Sequence, residues 1–415
     1  MAISFNLPKW LGGSGGGDSH LDNFIQNNPM VSAAASRAGV RITLETALQL
    51  SAVHRAVTVL SNGVAQVDLR VFEETIENGK LHRKPAYDHP AFNVLYRRVN
   101  PWLTSFRWRQ VMMWHIVLTG VGRSIINRVN GQIDSLIPVV PGTMKQIKLA
   151  TGEIKYEQTF ENGAVLLLDR QDVFEVQNAS WDGEAPLDSI KIAAETLGLT
   201  ASLEQSQANF QRTDMRPAGI LSMGGEKGLS KEAKEMLKDT WEQKYGPNGK
   251  GGIAVLDGDW KFNTMTMTAS DAQLIENRDF QIDEVARHLG VFPQMLFTSP
   301  KTQTYASSEQ FFQAHNIHGL DPHHENWRQE IDLQLLPEPN VYARFNTAKL
   351  MAGTLKDRGE YFAKALGAGG HAPWMTQDEV RMEVDLNPSD EPHASVLGTG
   401  AMNVNPVAAE GDSDE

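Results

Sequence analysis

The sequence contains no cysteine. That excludes disulfides, thiolate zinc sites and cysteine nucleophiles, and it fits a reducing compartment. Long hydrophobic runs are also missing: nothing approaches the roughly 18 consecutive apolar residues of a membrane span. The N-terminus lacks the basic-then-apolar pattern of a secretory signal, so the chain is expected to stay in the cytoplasm where it is made, away from membranes. Positive charge is in short supply, with 38 Lys and Arg against 51 Asp and Glu and a net charge of −13. A protein that grips nucleic acid by neutralising phosphates needs clustered cations, which this balance argues against. It remains compatible with a partner that must slide past an acidic wall. No phosphate-cradling Gly-x4-Gly-Lys-Ser/Thr occurs: Gly246 to Gly252 holds Lys250 at the wrong spacing, so neither ATP hydrolysis nor a cofactor is expected.

What is present is ample apolar material, 41% of 415 residues, enough for two or three cores. The organising stretch runs from Gly228 to Asn316. Ser230 can cap a helix whose Ala233, Leu237, Trp241 and Tyr245 form one stripe, stopped by Gly246 and Pro247. A glycine-rich turn leads into a small hairpin, Ile253 to Leu256, an Asp257-Gly258-Asp259 turn, and the alternating Trp260, Phe262, Thr264. A second helix opens with Ser270 and Gln273 in capping-box spacing, carries Leu274, Ile275, Ile282, Val285 and Leu289, and ends at Gly290 before Pro293. At about 1.5 Å per residue these are rods of about 25 to 30 Å. A polar loop from Thr298 to Tyr305 follows, and Ser307 with Gln310 caps a third helix. Two such rods bury little against each other, so copies packed side by side supply the missing partners.

Elsewhere, residues 1 to 40 are Gly/Ser/Ala-rich and read as a disordered arm. Thr43 begins one helix with Leu44, Ala47, Leu50, Val53, Ala56, Val57 and Leu60 on a face, leading to an extended segment from Val67 to Glu73. Helices are expected from His89-Pro90 to Val99 and from Phe106 to Leu118. Five short strands fill Gly120 to Val176: Ser124 to Val129, Ile133 to Pro138, Met144 to Leu149, Ile154 to Phe160 and Asp172 to Val176. A long helix spans Asp188 to Arg212, and Pro217 to Met223 is a strand. The helix after Ser308 meets Pro322, which is expected to bend or break it before it resumes through Trp327, Ile331 and Leu335. A strand and two helices, Thr347 to Leu366 and Gln377 to Val384, precede an acidic tail.

Two motifs invite chemistry. Gly12-Gly13-Ser14-Gly15-Gly16 satisfies a serine-hydrolase pattern but sits in a low-complexity linker rather than between a strand and a helix. His315, His318, His323 and His324 fall within ten residues, and with Asp321 or Glu325 they could ligate a metal in an enzyme acting on nucleic acid. Against this, Arg328 stands where a zincin motif needs its second histidine. A hydrated helix face explains the window without metal.

The run from Ala47 to Leu60, continuing through Val67-Asp-Leu-Arg-Val-Phe72, resembles the opening helix and strand of the portal proteins of tailed bacteriophages, of the siphophage type. Further agreement lies in His89-Pro90 through Asn100-Pro101-Trp102-Leu-Thr-Ser105, in Leu118-Thr-Gly120 with Ile133 to Pro141, and in Ile282 through Gly290-Val-Phe-Pro293-Gln-Met-Leu296 followed by Tyr305-Ala-Ser-Ser-Glu-Gln310. The resemblance covers roughly 43 to 388. It departs at Gly120-Val-Gly-Arg-Ser, where members usually carry Gly-Asn-Ala-Tyr, and in the continuation of Met375-Thr-Gln-Asp-Glu-Val380 to Asn387-Pro388.

The resemblance implies an α+β portal-like fold, with an α/β wing, two-helix stem, small β-containing clip, tunnel loop and helical crown, assembled as a cyclic ring. On that pattern 1–40 is the arm, 41–228 the wing, 229–245 the first stem helix, 246–269 the clip, and 270–297 the second stem helix. The tunnel loop is 298–306, the kinked wing helix 307–340, the crown 341–388, and the tail 389–415. It implies a homododecamer at one capsid vertex of the virion, assembled in the host bacterial cytoplasm, through which double-stranded DNA is packaged and ejected. The implied partners are the terminase large subunit, the head-tail adaptor, the major capsid protein and the scaffold, with no enzymatic activity of its own. Thr298, Lys301, Thr302, Gln303, Thr304 and Tyr305 then face the DNA, and Glu276, Asp279, Asp283 and Glu284 line the channel. Asn248, Lys250, Ile253, Val255, Asp257, Trp260 and Phe262 form the docking clip.

Overall fold

The described structure includes part of the expected N-terminal arm. In the computed structural model the described residues are 34–77, 79–160, 162–212, 220–223, 235–236, 260–263, 269–297, 305–347, 355–370, 372–384, 386–391 and 393–397. Strands β1 (Ala34–Ala35) and β2 (Arg41–Ile42) pair antiparallel. Ser36 between them is buried against the later helix at Gly198, where an added Cβ would stand 2.1 Å from the serine Oγ. Residues 34 to 40 are therefore held by a contact with a helix more than 150 positions away, which a local reading of composition does not see.

Thr43 caps α1 (Leu44–Gln49) through a capping box with Thr46. The expected single helix is two, because Leu50 adopts an extended backbone, ψ 118°, before α2 (Ser51–Ala65). Leu44, Leu50, Val53, Val57 and Leu60 are all buried nonetheless, so the apolar periodicity runs through a break it cannot report. A hairpin follows, β3 (Leu69–Glu77) with β4 (Lys80–Pro85). The second arm has no counterpart among the expected strands: its Lys80-Leu-His-Arg-Lys-Pro85 has the charged look of a solvated edge. His89 caps α3 (Pro90–Tyr96), and β5 (Arg98–Asn100) and β6 (Leu103–Thr104) lead into α4 (Ser105–Thr119). Gly120, at φ +83°, ends α4 in the left-handed conformation.

Six strands, not five, occupy the next segment: β7 (Val121–Val129), β8 (Gln132–Pro138), β9 (Met144–Lys148), β10 (Ile154–Thr159), β11 (Val165–Asp169) and β12 (Val173–Gln177). They form two three-stranded sheets, ordered β12-β7-β8 and β11-β10-β9. The strands enclose Ile125, Val139, Met144, Tyr156, Leu168 and Val173. Glu175, on β12, is a buried carboxylate. Burial pushes it up, but Arg123, Gln177 and Arg170 together outweigh burial and hold it below the ordinary carboxylate range.

The expected long helix is α5 (Ser189–Ile192), capped by Asp188, and α6 (Ala194–Arg212). Then come β13 (Ile220–Met223), β14 (Trp260–Asn263), α7 (Ala269–Leu289), a 3-10 turn Pro293–Leu296, α8 (Tyr305–Ala314), a π turn His315–Leu320, α9 (Asp321–Leu335) and β15 (Val341–Phe345). β14 pairs with β13, Met223 opposite Trp260; the hairpin partner expected at Ile253 to Leu256 lies outside the described residues. Pro322 does not break the rod: the helical run continues from α8 through the π turn into α9. The Asp321 amide donates to Asn316, five residues back, and Asp321 stays helical at φ −60°. The widened turn absorbs the register in which proline has no donor to offer.

β15 completes the sheet β15-β3-β4, with Ala343 opposite Val71. It therefore belongs to the first of two compact units, 1–346 and 347–415, so the segment expected as crown, 341–388, is divided between the two. The first unit's core is aromatic: Trp108 of α4 lies 5.6 Å from Phe174 of β12 and 5.2 Å from Trp327 of α9, ring centre to ring centre. Its indole donates to Ser124 Oγ at 2.9 Å. Arg109, beside it, donates to the Ala65 and Val67 carbonyls at 3.0 and 2.9 Å, closing the end of α2; burial lowers it to about 10.

The second unit carries α10 (Leu355–Ala365) and α11 (Gln377–Glu383), the latter capped by Thr376 and Glu379. Residues expected in the tail are tied to α11: Ser389 donates to Asp378 at 2.7 Å, and Ala394 is fully buried. No helix among the described residues is long and apolar enough to cross a membrane.

Candidate functional site

Helix α7 and the turn after it carry the described part of the expected channel surface. The helix includes Ala269 and Ser270, so Ser270 and Gln273 lie inside it rather than forming its cap. Its far end closes as a Schellman motif. Gly290, at φ +69°, donates to the Arg287 carbonyl at 3.3 Å, and Val291 donates to Ala286 at 3.0 Å.

At 100° per residue the helix has a buried and an exposed side, which abut where Ala286 adjoins Asp279. Gln281, Val285 and Ala286 are buried. On this side α7 runs antiparallel to α6: His288 Nε2 meets Thr196 Oγ1 at 3.1 Å, Thr200 donates to Gln281 at 3.4 Å, and Arg278 pairs with Glu204 at 3.4 Å. The opposite arc holds Glu276, Asp279, Phe280, Asp283 and Arg287. Glu276 and Asp279 are exposed and Asp283 is half-buried. Glu284 stands at the edge of the arc, ion-paired to Arg287. Arg287 also lies 5.9 Å from the Phe280 ring, which is 54% exposed. The four acidic residues thus share their surface with a cation and a phenyl ring.

Past Val291 the chain makes the 3-10 turn and stops at Phe297 in the left-handed region, φ +64°. For a bulky side chain that conformation costs about 1 kcal/mol or more. Arg55, on α2, holds it. The guanidinium lies 4.6 Å from the centre of the Phe297 ring, and its Nε donates to the Met295 carbonyl at 3.1 Å. This pairing of residues some 240 positions apart has no signature in either local sequence.

Thr298, Lys301, Thr302, Gln303 and Thr304 lie outside the described residues. Tyr305 is the first residue of α8, so the loop ends earlier than expected and Ser307 is within the helix rather than its cap; the Tyr-Ala-Ser-Ser-Glu run is compatible with a first helical turn. Of the clip residues, Asn248, Lys250, Ile253, Val255 and Asp257 lie outside the described residues. Trp260 and Phe262 are on β14. Ser14 also lies outside them.

The histidine window is pulled apart. The π turn removes the one-turn stacking of His315 and His318. His315 is buried with its ring 6.2 Å from Phe292, while His318 is exposed. His324 is buried against Phe345 at 4.9 Å, and burial, aided by His323 and Arg109, pushes it down to about 4. Glu325 is held by Arg328, which lowers it to about 2. Among the described residues no three His, Asp or Glu side chains converge as a metal would require.

The model of the phage portal protein family matches residues 51–385. The chain belongs to the phage portal protein family. It is 25% identical over 363 residues to the portal protein of Enterobacteria phage HK97, covering 86% of this chain and 84% of that one. Among solved structures it matches a chain from the neck of a native gene transfer agent particle computed with C12 symmetry, with a TM-score of 0.58 at 18% identity, over 83% of this chain and 93% of that one. It also matches an HK97-family phage portal protein from Corynebacterium diphtheriae, with a TM-score of 0.51 at 18% identity, over 78% and 99%. At such identities the structural likeness establishes the fold, a mixed helix-and-strand portal fold. The reading of residues 315–325 as a metal-dependent enzyme finds no support in these matches.

Proposed function

We propose that twelve copies of this chain form a closed ring at one vertex of a phage capsid, a passive conduit through which double-stranded DNA is packaged and later ejected. The observation that carries the reading is the family match over 51–385. The geometry adds a reason to assemble: α7 spends one side on its own subunit and leaves a mixed arc, Phe280 included, for another surface. In a cyclic array that arc is divided between the neighbouring copy and the channel.

On this reading the chain does no chemistry. A terminase large subunit supplies the work, docking on the clip through Asn248, Lys250, Ile253, Val255, Asp257, Trp260 and Phe262, and a head-tail adaptor later takes its place. Residues 298–306, with Lys301 foremost, approach the DNA, and Glu276, Asp279 and Asp283 give the channel the sign that keeps a duplex moving. The major capsid protein and scaffold surround the ring, which is assembled in the host cytoplasm and retained in the virion.

Light scattering on a sizing column, with imaging of the peak, tests the assembly. A particle of about twelve times 45.9 kDa with a central hole is expected; a monomer or dimer under all assembly conditions overturns the reading. The docking assignment has its own test: Val255→Asp or Trp260→Asp is expected to leave the ring intact and abolish terminase capture. Loss of the ring in either variant overturns the clip boundaries.

A further inference from the structure

We propose that Arg55 is a phosphate-contacting residue for duplex DNA, presented at the root of the 298–304 segment by Phe297 and the Met295 carbonyl. The inference rests on the portal reading and adds to it a contact from a distant helix.

Three observations meet at this point. First, the guanidinium is oriented before any ligand arrives. Its Cζ lies 4.6 Å from the centre of the Phe297 ring, and Nε is fixed on Met295 O at 3.1 Å. That leaves the two terminal amino groups of the guanidinium fork. Second, among the described residues no carboxylate is ion-paired to it, a condition it shares with Arg109 and Arg381, whose guanidinium groups donate to backbone carbonyls. Third, the support is strained. Phe297 is 79% exposed and lies at φ +64°, although burial gives its ring no reason to be there. Its described partner is Arg55.

An aromatic ring under a guanidinium fixes the plane of the fork while leaving its edge open, the arrangement that suits bidentate contact with a phosphate. Closed cyclic assembly would repeat this cation once per subunit around the axis. It would give a mostly acidic conduit one evenly spaced ring of positive contacts, close to where residue 298 begins.

The test uses full-length rings of wild type, Arg55→Gln and Arg55→Lys, each checked for mass, and a short blunt DNA duplex titrated by fluorescence anisotropy over a salt series. Arg55→Gln rings are expected to bind several-fold more weakly at low salt, with a salt slope shallower by about 0.9 for each phosphate that is no longer neutralised. Arg55→Lys keeps the charge and is expected to hold most of the slope. Equal slopes for wild type and Arg55→Gln overturn the proposal. So does an equal loss in both variants accompanied by altered mass, which assigns Arg55 to structure alone. Inorganic phosphate bound in an Arg55-dependent way by rings whose duplex affinity does not depend on Arg55 assigns the site to a free anion and overturns the duplex assignment. A wild-type chain that forms no ring fails the portal reading itself, a result separable from all of these.

Discussion

Acid should loosen the first unit of this protein through His324. The residue is 3% exposed, its ring lies 4.9 Å from Phe345, and its protonated form is disfavoured first by burial and then by His323 and Arg109, with only the Gly63 backbone pulling the other way. Its folded value is about 4 against 6.5 in the unfolded chain. Above pH 6.5 both states are neutral and the group costs nothing. As pH falls, the unfolded chain takes up the proton first, so stability is lost from about 6.5 downward and levels off near 4. The full difference of about 2.5 units corresponds to about 3 kcal/mol, and at pH 5 about 2 kcal/mol of it has been lost. His115, also pushed to about 4 by burial, adds a share of similar size. Urea midpoints followed by the fluorescence of Trp108 and Trp327, between pH 7.5 and 4.5, measure the slope. His324→Gln cannot titrate and should recover about 2 kcal/mol of the acid loss at pH 5 while leaving the His115 share. Parallel pH profiles for wild type and variant refute the assignment.

Other perturbations separate backbone, charge and packing. Gly290→Ala meets nothing within 4 Å but must adopt φ +69°, so a cost of about 1 kcal/mol is expected from backbone alone, read as a lower urea midpoint with an unchanged slope. Glu175→Gln removes the charge that Arg123 and Arg170 share. It should destabilise by about 3 to 5 kcal/mol, because two guanidinium groups lose their buried counterion; a loss below about 1 kcal/mol would show that water already serves them.

Helices with punctuation were legible. His89-Pro90, Gly120 and Gly290 mark starts and stops because each satisfies a backbone requirement that few other residues meet. Strands without a distinct period were harder. Val165-Leu-Leu-Leu-Asp169 is a short apolar run that periodicity cannot tell from a buried helix turn, and only its pairing with β10 at Tyr156↔Leu168 decides it. The break at Leu50 was invisible for the opposite reason. A hydrophobic stripe continues across it unchanged, since both helices pack on one core.

The histidine window shows where local spacing misleads. Two histidines three apart share a face in an α-helix, but the six-residue π turn that accommodates Pro322 sends His315 inward and His318 outward. The π turn thus decides which of these side chains can meet. The Arg55 and Phe297 pair is the reverse case: nothing local predicts it, and it exists because α2, the 3-10 turn and Phe297 meet at one point in the folded chain. The sequence-readable elements set the rods and sheets of this portal chain. The residues most open to functional testing, Arg55, Phe297 and Phe280, acquire meaning only from which helix lies beside them, so their roles follow from packing rather than from motif.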